Sequence, residues 1–122
     1  MEKIELLFDH VGIPTDDAQP GESWVEATRV WVTNPHTHKY HVEYLRFAPD
    51  SPAAEVAKRM PHIAYSVKAE DLSRLVEGME VIVPITAVDE NLTIAYVMKD
   101  GALLEYMVYK DPTLWFGKPR WG

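Results

Sequence analysis

Hydrophobic positions along this chain fall mostly at period two, the repeat of a strand with one face buried. Leu6 to Ile13 is apolar and partly β-branched. Gly12 inside it marks a place of close backbone approach. Pro14 to Gly21, rich in Pro, Asp and Gly, interrupts any regular element. Trp24 to Thr33 alternates as a strand, with Val25, Ala27, Arg29, Trp31 and Thr33 on one face. After a turn at Asn34-Pro35, Tyr40 to Phe47 reads as a strand that places His41, Glu43, Leu45 and Phe47 on a single face. Pro49-Asp50-Ser51-Pro52 and a short helical stretch from Ala53 to Arg59 form a connector.

The second half opens on a strand from His62 to Val67. Ala69 to Val76 follows as the clearest helix, since Leu72, Leu75, Val76 and Met79 keep the i, i+3, i+4, i+7 spacing. Val81–Val83, Thr93–Met98 and Ala102–Tyr109 supply three more strands. The last two are joined by Asp100-Gly101, a tight-hairpin signal. This half reads β-α-β-β-β, whereas the first reads β-loop-β(-β)-β. The expected division is module one at 1–48, a connector at 49–60, module two at 61–110 and a tail at 111–122, all within a single domain. The tail, with Trp115, Phe116 and Trp121, has no periodicity and is expected to pack as a lid or onto a neighbouring subunit.

Composition narrows the chemistry. A chain of 122 residues can bury roughly two thirds of its unfolded surface and needs no staples. Cysteine is absent, so any metal must sit on nitrogen and oxygen donors. A net charge of −7 with scattered basic residues argues against nucleic-acid binding. No apolar run approaches the ~20 residues that span a bilayer, and no cationic leader precedes the first strand. A soluble, cytoplasmic protein without membrane partners is expected.

Two short segments are written twice. Asp9-His10-Val11-Gly12-Ile13 recurs as Pro61-His62-Ile63-Ala64-Tyr65, and Val42-Glu43-Tyr44-Leu45 recurs as Leu104-Glu105-Tyr106-Met107. A lone histidine on an apolar strand is usually a core residue, and a lone glutamate there needs a compensating charge such as Arg29 or Arg46. Two of each in matching places suggest a two-His, two-Glu metal site. Glu43 follows His10 by 33 positions and Glu105 follows His62 by 43, a difference of about one helix. The first module is therefore expected to have lost or shortened its crossover helix. His36 and His38, in the turn after Asn34-Pro35, are expected to be solvated.

On these motifs the chain resembles the vicinal oxygen chelate superfamily, which includes glyoxalase I, methylmalonyl-CoA epimerase, fosfomycin-resistance proteins and extradiol dioxygenases. The resemblance implies an α+β fold of two tandem βαβββ modules that form a cupped mixed sheet. It assigns metal ligation to His10, Glu43, His62 and Glu105 and implies one divalent ion: Ni, Co, Zn, Mn or Fe. It also implies a glyoxalase-like lyase or isomerase that acts on a small molecule with oxygens on adjacent carbons, through an enediolate or enolate. Glu43 or Glu105 would act as base, with His41 as a second candidate. Trp31, Phe47 and Met107 are expected in the substrate pocket, with Arg46 and Arg29 as anchors for an anionic substrate. The alternatives are an Fe(II) ring-cleaving dioxygenase using His10, His62 and Glu105, and a non-catalytic small-molecule-binding protein. The Pro/Gly-rich loop in place of a first helix weighs against glutathione as a co-substrate. A homodimer is the expected assembly.

Overall fold

A computed structural model describes residues 3–122; Met1 and Glu2, at the start of the first expected module, lie outside the described residues. Eight strands form one sheet: β1 (Leu7–Pro14), β2 (Ser23–Val25), β3 (Val30–Val32), β4 (Val42–Phe47), β5 (His62–Ser66), β6 (Glu80–Ala87), β7 (Leu92–Lys99) and β8 (Ala102–Tyr109). Two α-helices, α1 (Glu55–Arg59) and α2 (Ala69–Val76), a 3-10 helix at Pro35–Thr37, and a small two-stranded sheet, β9 (Leu114–Trp115) with β10 (Lys118–Pro119), complete the elements of the described residues. No helix among the described residues is long and apolar enough to cross a membrane.

The strand order is β2-β3-β4-β1-β5-β8-β7-β6. At the centre β1 and β5 run antiparallel, and each has a parallel neighbour on its outer side, β4 and β8 respectively. The remaining pairs are antiparallel. Reading outward from the centre, the two wings have the same order of directions. The sheet curls so that the inner faces of both wings line one cavity.

The clearest sequence expectations coincide with the observed elements: α2 and β8 span the expected residues. Asp100 and Gly101 both take positive φ, 53° and 79°, as a tight hairpin turn demands. Buried Leu72 of α2, flanked by Leu75, Val76 and Met79, packs on Ala95, Val97 and Tyr106, which covers the outer face of the second wing.

The first wing departs from the sequence reading. Trp24 to Thr33 is not one strand but two, because the chain reverses between Val25 and Val30, with Arg29 at φ 47°. The reversal changes the parity. Val25, Val30 and Val32 point inward with Leu45, while Trp24 and Trp31 are paired neighbours with ring centroids 5.2 Å apart. Arg29 stacks on Trp24, and Arg46 on Trp31. No helix lies between β1 and β2; the segment 15–22 runs as irregular chain there.

The tail is a lid on its own chain. Phe116 and Gly117, with φ of 47° and 80°, turn β9 into β10. This seats Trp115, 3% exposed, against Ala64, Leu92, Ile94 and Met107.

Candidate metal centre

Sheet register explains how four side chains distant in sequence meet. One row across the sheet runs Glu43, Gly12, His62, on β4, β1 and β5. A second row runs His10, Ala64, Glu105, Tyr96, on β1, β5, β8 and β7. In each row a histidine and a glutamate flank one small residue. Neighbouring strands are about 4.8 Å apart, so a larger middle residue would fill the space that the two flanking side chains must share. At Gly12 this is literal: a β-carbon built there would fall within the His62 ring. Gly12 does not have positive φ, so close approach rather than backbone freedom requires glycine.

All four side chains converge. His10 Nε2 lies 3.2 Å from Glu43 Oε1 and 3.6 Å from Glu105 Oε1. His62 Nε2 lies 3.6 Å and 3.2 Å from the same two oxygens. The imidazoles meet edge to face, with centroids 5.5 Å apart. All four residues are buried, and neither Nε2 has a directed hydrogen-bond partner. No arginine compensates the carboxylates: Arg29 pairs with Asp50 and Glu26, and Arg46 with Glu22.

Two donors about 2.1 Å from one ion stand about 3.0 Å apart at a right angle and about 3.4 Å at the tetrahedral angle. The four His–Glu separations of 3.2–3.6 Å are close to these values. The donor atoms of His10, His62 and Glu105 all lie within 4.8 Å of one another, and Glu43 stands outside that group. Two neutral imidazoles and two carboxylates form a nitrogen–oxygen donor set suited to a divalent transition metal. Buried nitrogens without directed hydrogen-bond partners, beside carboxylates with no arginine or lysine paired to them, fit such an ion.

In the metal-free protein, protons do the balancing. Burial alone would push the His10 imidazole down, but the Glu43 carboxylate, Asp9 and Glu105 outweigh it and raise its pKa to about 10. His62 is raised in the same way: burial is outweighed by Glu105 and Glu43. Burial would push the Glu43 carboxyl up, but His10 and His62 hold it low. Tyr96, partner of Glu105 across β7 and β8, is kept a neutral phenol by burial and by the two carboxylates.

Behind His10 lies a group of residues that sequence reasoning missed. Asp9, 2% exposed, accepts from His10 Nδ1 at 2.5 Å, so Nε2 is the nitrogen turned to the two glutamates. Asp9 also lies 2.9 Å from His36 Nε2 and accepts from the Tyr109 hydroxyl at 2.9 Å and from Arg120 Nη2 at 2.8 Å. Burial raises the Asp9 carboxyl, and His10 and then His36 more than reverse it. The trio Asp9, His10 and His36 could be mistaken for a second metal site, but the Arg120 guanidinium and the Tyr109 hydroxyl already fill it. The signal was an acidic residue directly before His10 in an apolar strand. Tyr96 was legible too, because a two-residue turn at Asp100-Gly101 sets it opposite Glu105.

Several expectations are corrected. His41 does not share a face with Glu43: it precedes β4, takes φ 55° and is exposed. Its backbone carbonyl accepts from Val11 N instead. Trp31 and Arg46 lie outside the cavity, and Arg46 is bound to Glu22 at 2.7 Å. His36 is not solvated; its side chain is 3% exposed and held by Asp9. His38 stays partly exposed and accepts from Tyr40 N at 3.0 Å, which orders the turn. Phe47 and Met107 do line the cavity, whose volume is about 350 Å³, together with Glu43, Glu105 and Tyr96.

No family model matches the sequence, and no curated protein matches it. Among solved structures, a hypothetical protein from Bacillus halodurans C-125 is similar, with a TM-score of 0.64 and 21% identity over 87% of this chain and 96% of that one. At that identity the likeness concerns the fold: a curled, mixed eight-stranded sheet with few helices.

Proposed function

We propose that the protein binds one divalent transition-metal ion through His10, Glu43, His62 and Glu105, and that it is a lyase or isomerase of the vicinal oxygen chelate kind. The observation that carries this is the pair of buried Nε2 atoms without hydrogen-bond partners, each within 3.2–3.6 Å of one oxygen from each glutamate. The matching order of the two wings supports reading them as two copies of a βαβββ unit, the first without its helix.

A bound ion of this type would supply Lewis-acid stabilisation of negative charge on two adjacent substrate oxygens. The chain supplies the rest. Among the described residues Glu43 and Glu105 are the only carboxylates that line the cavity, so the base that removes a proton from the substrate carbon is drawn from this pair. The Tyr96 phenol, protonated and in the same wall, is positioned to donate a hydrogen bond to a substrate oxygen. Asp9 holds His10 in register, and Trp115 closes one side against water. The matching His–Glu distances of Glu43 and Glu105 support Glu43 as a fourth ligand. His10, His62 and Glu105, whose donor atoms lie within 4.8 Å of one another, make up the two-His, one-carboxylate triad of the ring-cleaving dioxygenase alternative. A homodimer remains the proposed assembly, because edge strand β6 exposes Val81 and Ile85.

Titration of the chelator-treated protein with Co, Ni, Zn and Mn, followed by calorimetry, tests the metal. One ion per chain is expected, with loss of binding in His10→Ala and in Glu105→Gln. Solvent-deuterium exchange at the hydroxyl-bearing carbon of benzoin, followed by NMR, tests the chemistry: exchange should need the metal and vanish in Glu105→Gln or Glu43→Gln. No uptake of any of these metals by the wild type would overturn the reading.

A further inference from the structure

The cavity is about 350 Å³, at the small end of the ~300–1,000 Å³ usual for ligand sites. Its wall is almost wholly apolar. Val30, Leu45 and Phe47 come from the first wing, Ile94 and Met107 from the second, and Trp115 from the tail. Among the described residues the only charged ones on it are Glu43 and Glu105, and no lysine or arginine lines it.

The basic side chains that could have served an anion are engaged elsewhere. Arg46 is bound to Glu22 and stacked on Trp31. Arg29 is bound to Asp50 and Glu26. Arg120 is spent on Asp9. Lys58, on the helix that offers Ala57 to the cavity, donates instead to the Ser51 carbonyl at 2.7 Å.

We infer that the ligand of this cavity is an uncharged small molecule with an apolar, aryl- or alkyl-sized body and its two adjacent oxygens at one end, not a carboxylated, phosphorylated or nucleotide-bearing metabolite. This rests on the metal reading above, and the physical reason is charge balance. Two glutamates match a divalent ion, so the centre as a whole is neutral. An anionic group beyond it would enter an apolar wall with no cation and no cluster of donors to replace its water. A neutral body loses nothing there and gains from burial.

The test uses the full chain loaded with Co(II). Two probes are titrated, 1-phenylpropane-1,2-dione and its analogue with a carboxylate at the para position of the ring, which sets the anion in the apolar wall beyond the two chelating oxygens. The cobalt visible spectrum and Trp115 fluorescence report binding. The uncharged dione is expected to bind tighter by about tenfold or more. Phe47→Lys, which places a cation on the half-buried part of the wall, is expected to narrow or reverse the preference. Equal or tighter binding of the para-carboxylate probe by the wild type, with one Co(II) bound per chain, overturns this inference and leaves the metal reading standing. Binding of neither probe to the loaded protein also overturns it. Failure to take up Co(II) or any other divalent metal, read separately by calorimetry, overturns both.

Discussion

The imidazole of His62 occupies the space where Gly12, its partner across the central antiparallel pair, would carry a β-carbon. A candidate metal ligand on one strand is thus seated by a missing side chain on the next. Gly12→Ala is expected to push His62 off the shared site, cost about 1–3 kcal/mol of stability, and abolish or sharply weaken metal binding. Ala64→Gly, at the equivalent place in the other row, should keep the metal. Calorimetric metal titration beside thermal melts checks the pair; full metal affinity in Gly12→Ala would contradict the packing account.

Asp9 fixes which His10 nitrogen faces the glutamates, and it anchors the tail through Arg120. Asp9→Asn is expected to lower metal affinity about 10–100-fold. Because it leaves buried cationic partners unmatched, it should also destabilise the fold by roughly 3 kcal/mol or more. Chemical denaturation with and without metal separates the two effects. Arg120→Ala should produce a weaker version of both.

At the proposed metal site, an ion and protons would compete for the same atoms. The His10 pKa is raised to about 10 in the metal-free fold. Its contribution to the metal-free protein is therefore complete below its ordinary value near 6.5 and disappears as pH rises through about 10. The raised His62 acts in the same direction. Metal binding runs the opposite way. It must displace these protons, so affinity is expected to climb with pH across that window, with net proton release. Calorimetry in buffers of different ionisation enthalpy counts the protons, and affinity that falls with pH would refute the assignment.

Arg46 and His41 sit outside the cavity. Arg46→Ala and His41→Ala are each expected to leave metal stoichiometry, probe affinity and any catalysed exchange unchanged. A large loss in either variant would restore a role for them.

How far the sequence could be read depended on how local each determinant was. Helix α2, the hairpin at Asp100-Gly101, and the repeated His and Glu strands follow from spacing and turn chemistry between near neighbours, and the structure keeps them. The reading failed where one unseen turn changed parity. The reversal before Val30 put Trp24 and Trp31 on the same side, and the left-handed backbone of His41 separated it from Glu43. Period-two arguments do not survive such a break.

By itself the sequence determined which residue types recur, and hence the four candidate ligands and the small residues beside them. Only the tertiary structure decided that each of the two histidine Nε2 atoms comes within 3.2–3.6 Å of one oxygen from each glutamate, since that depends on the β1–β5 register and the curl of the sheet, neither of which any local segment encodes. It also decided that the tail closes on its own chain and that every nearby arginine is engaged away from the cavity. Long-range contacts choose among side-chain partners that are, in sequence, equally available.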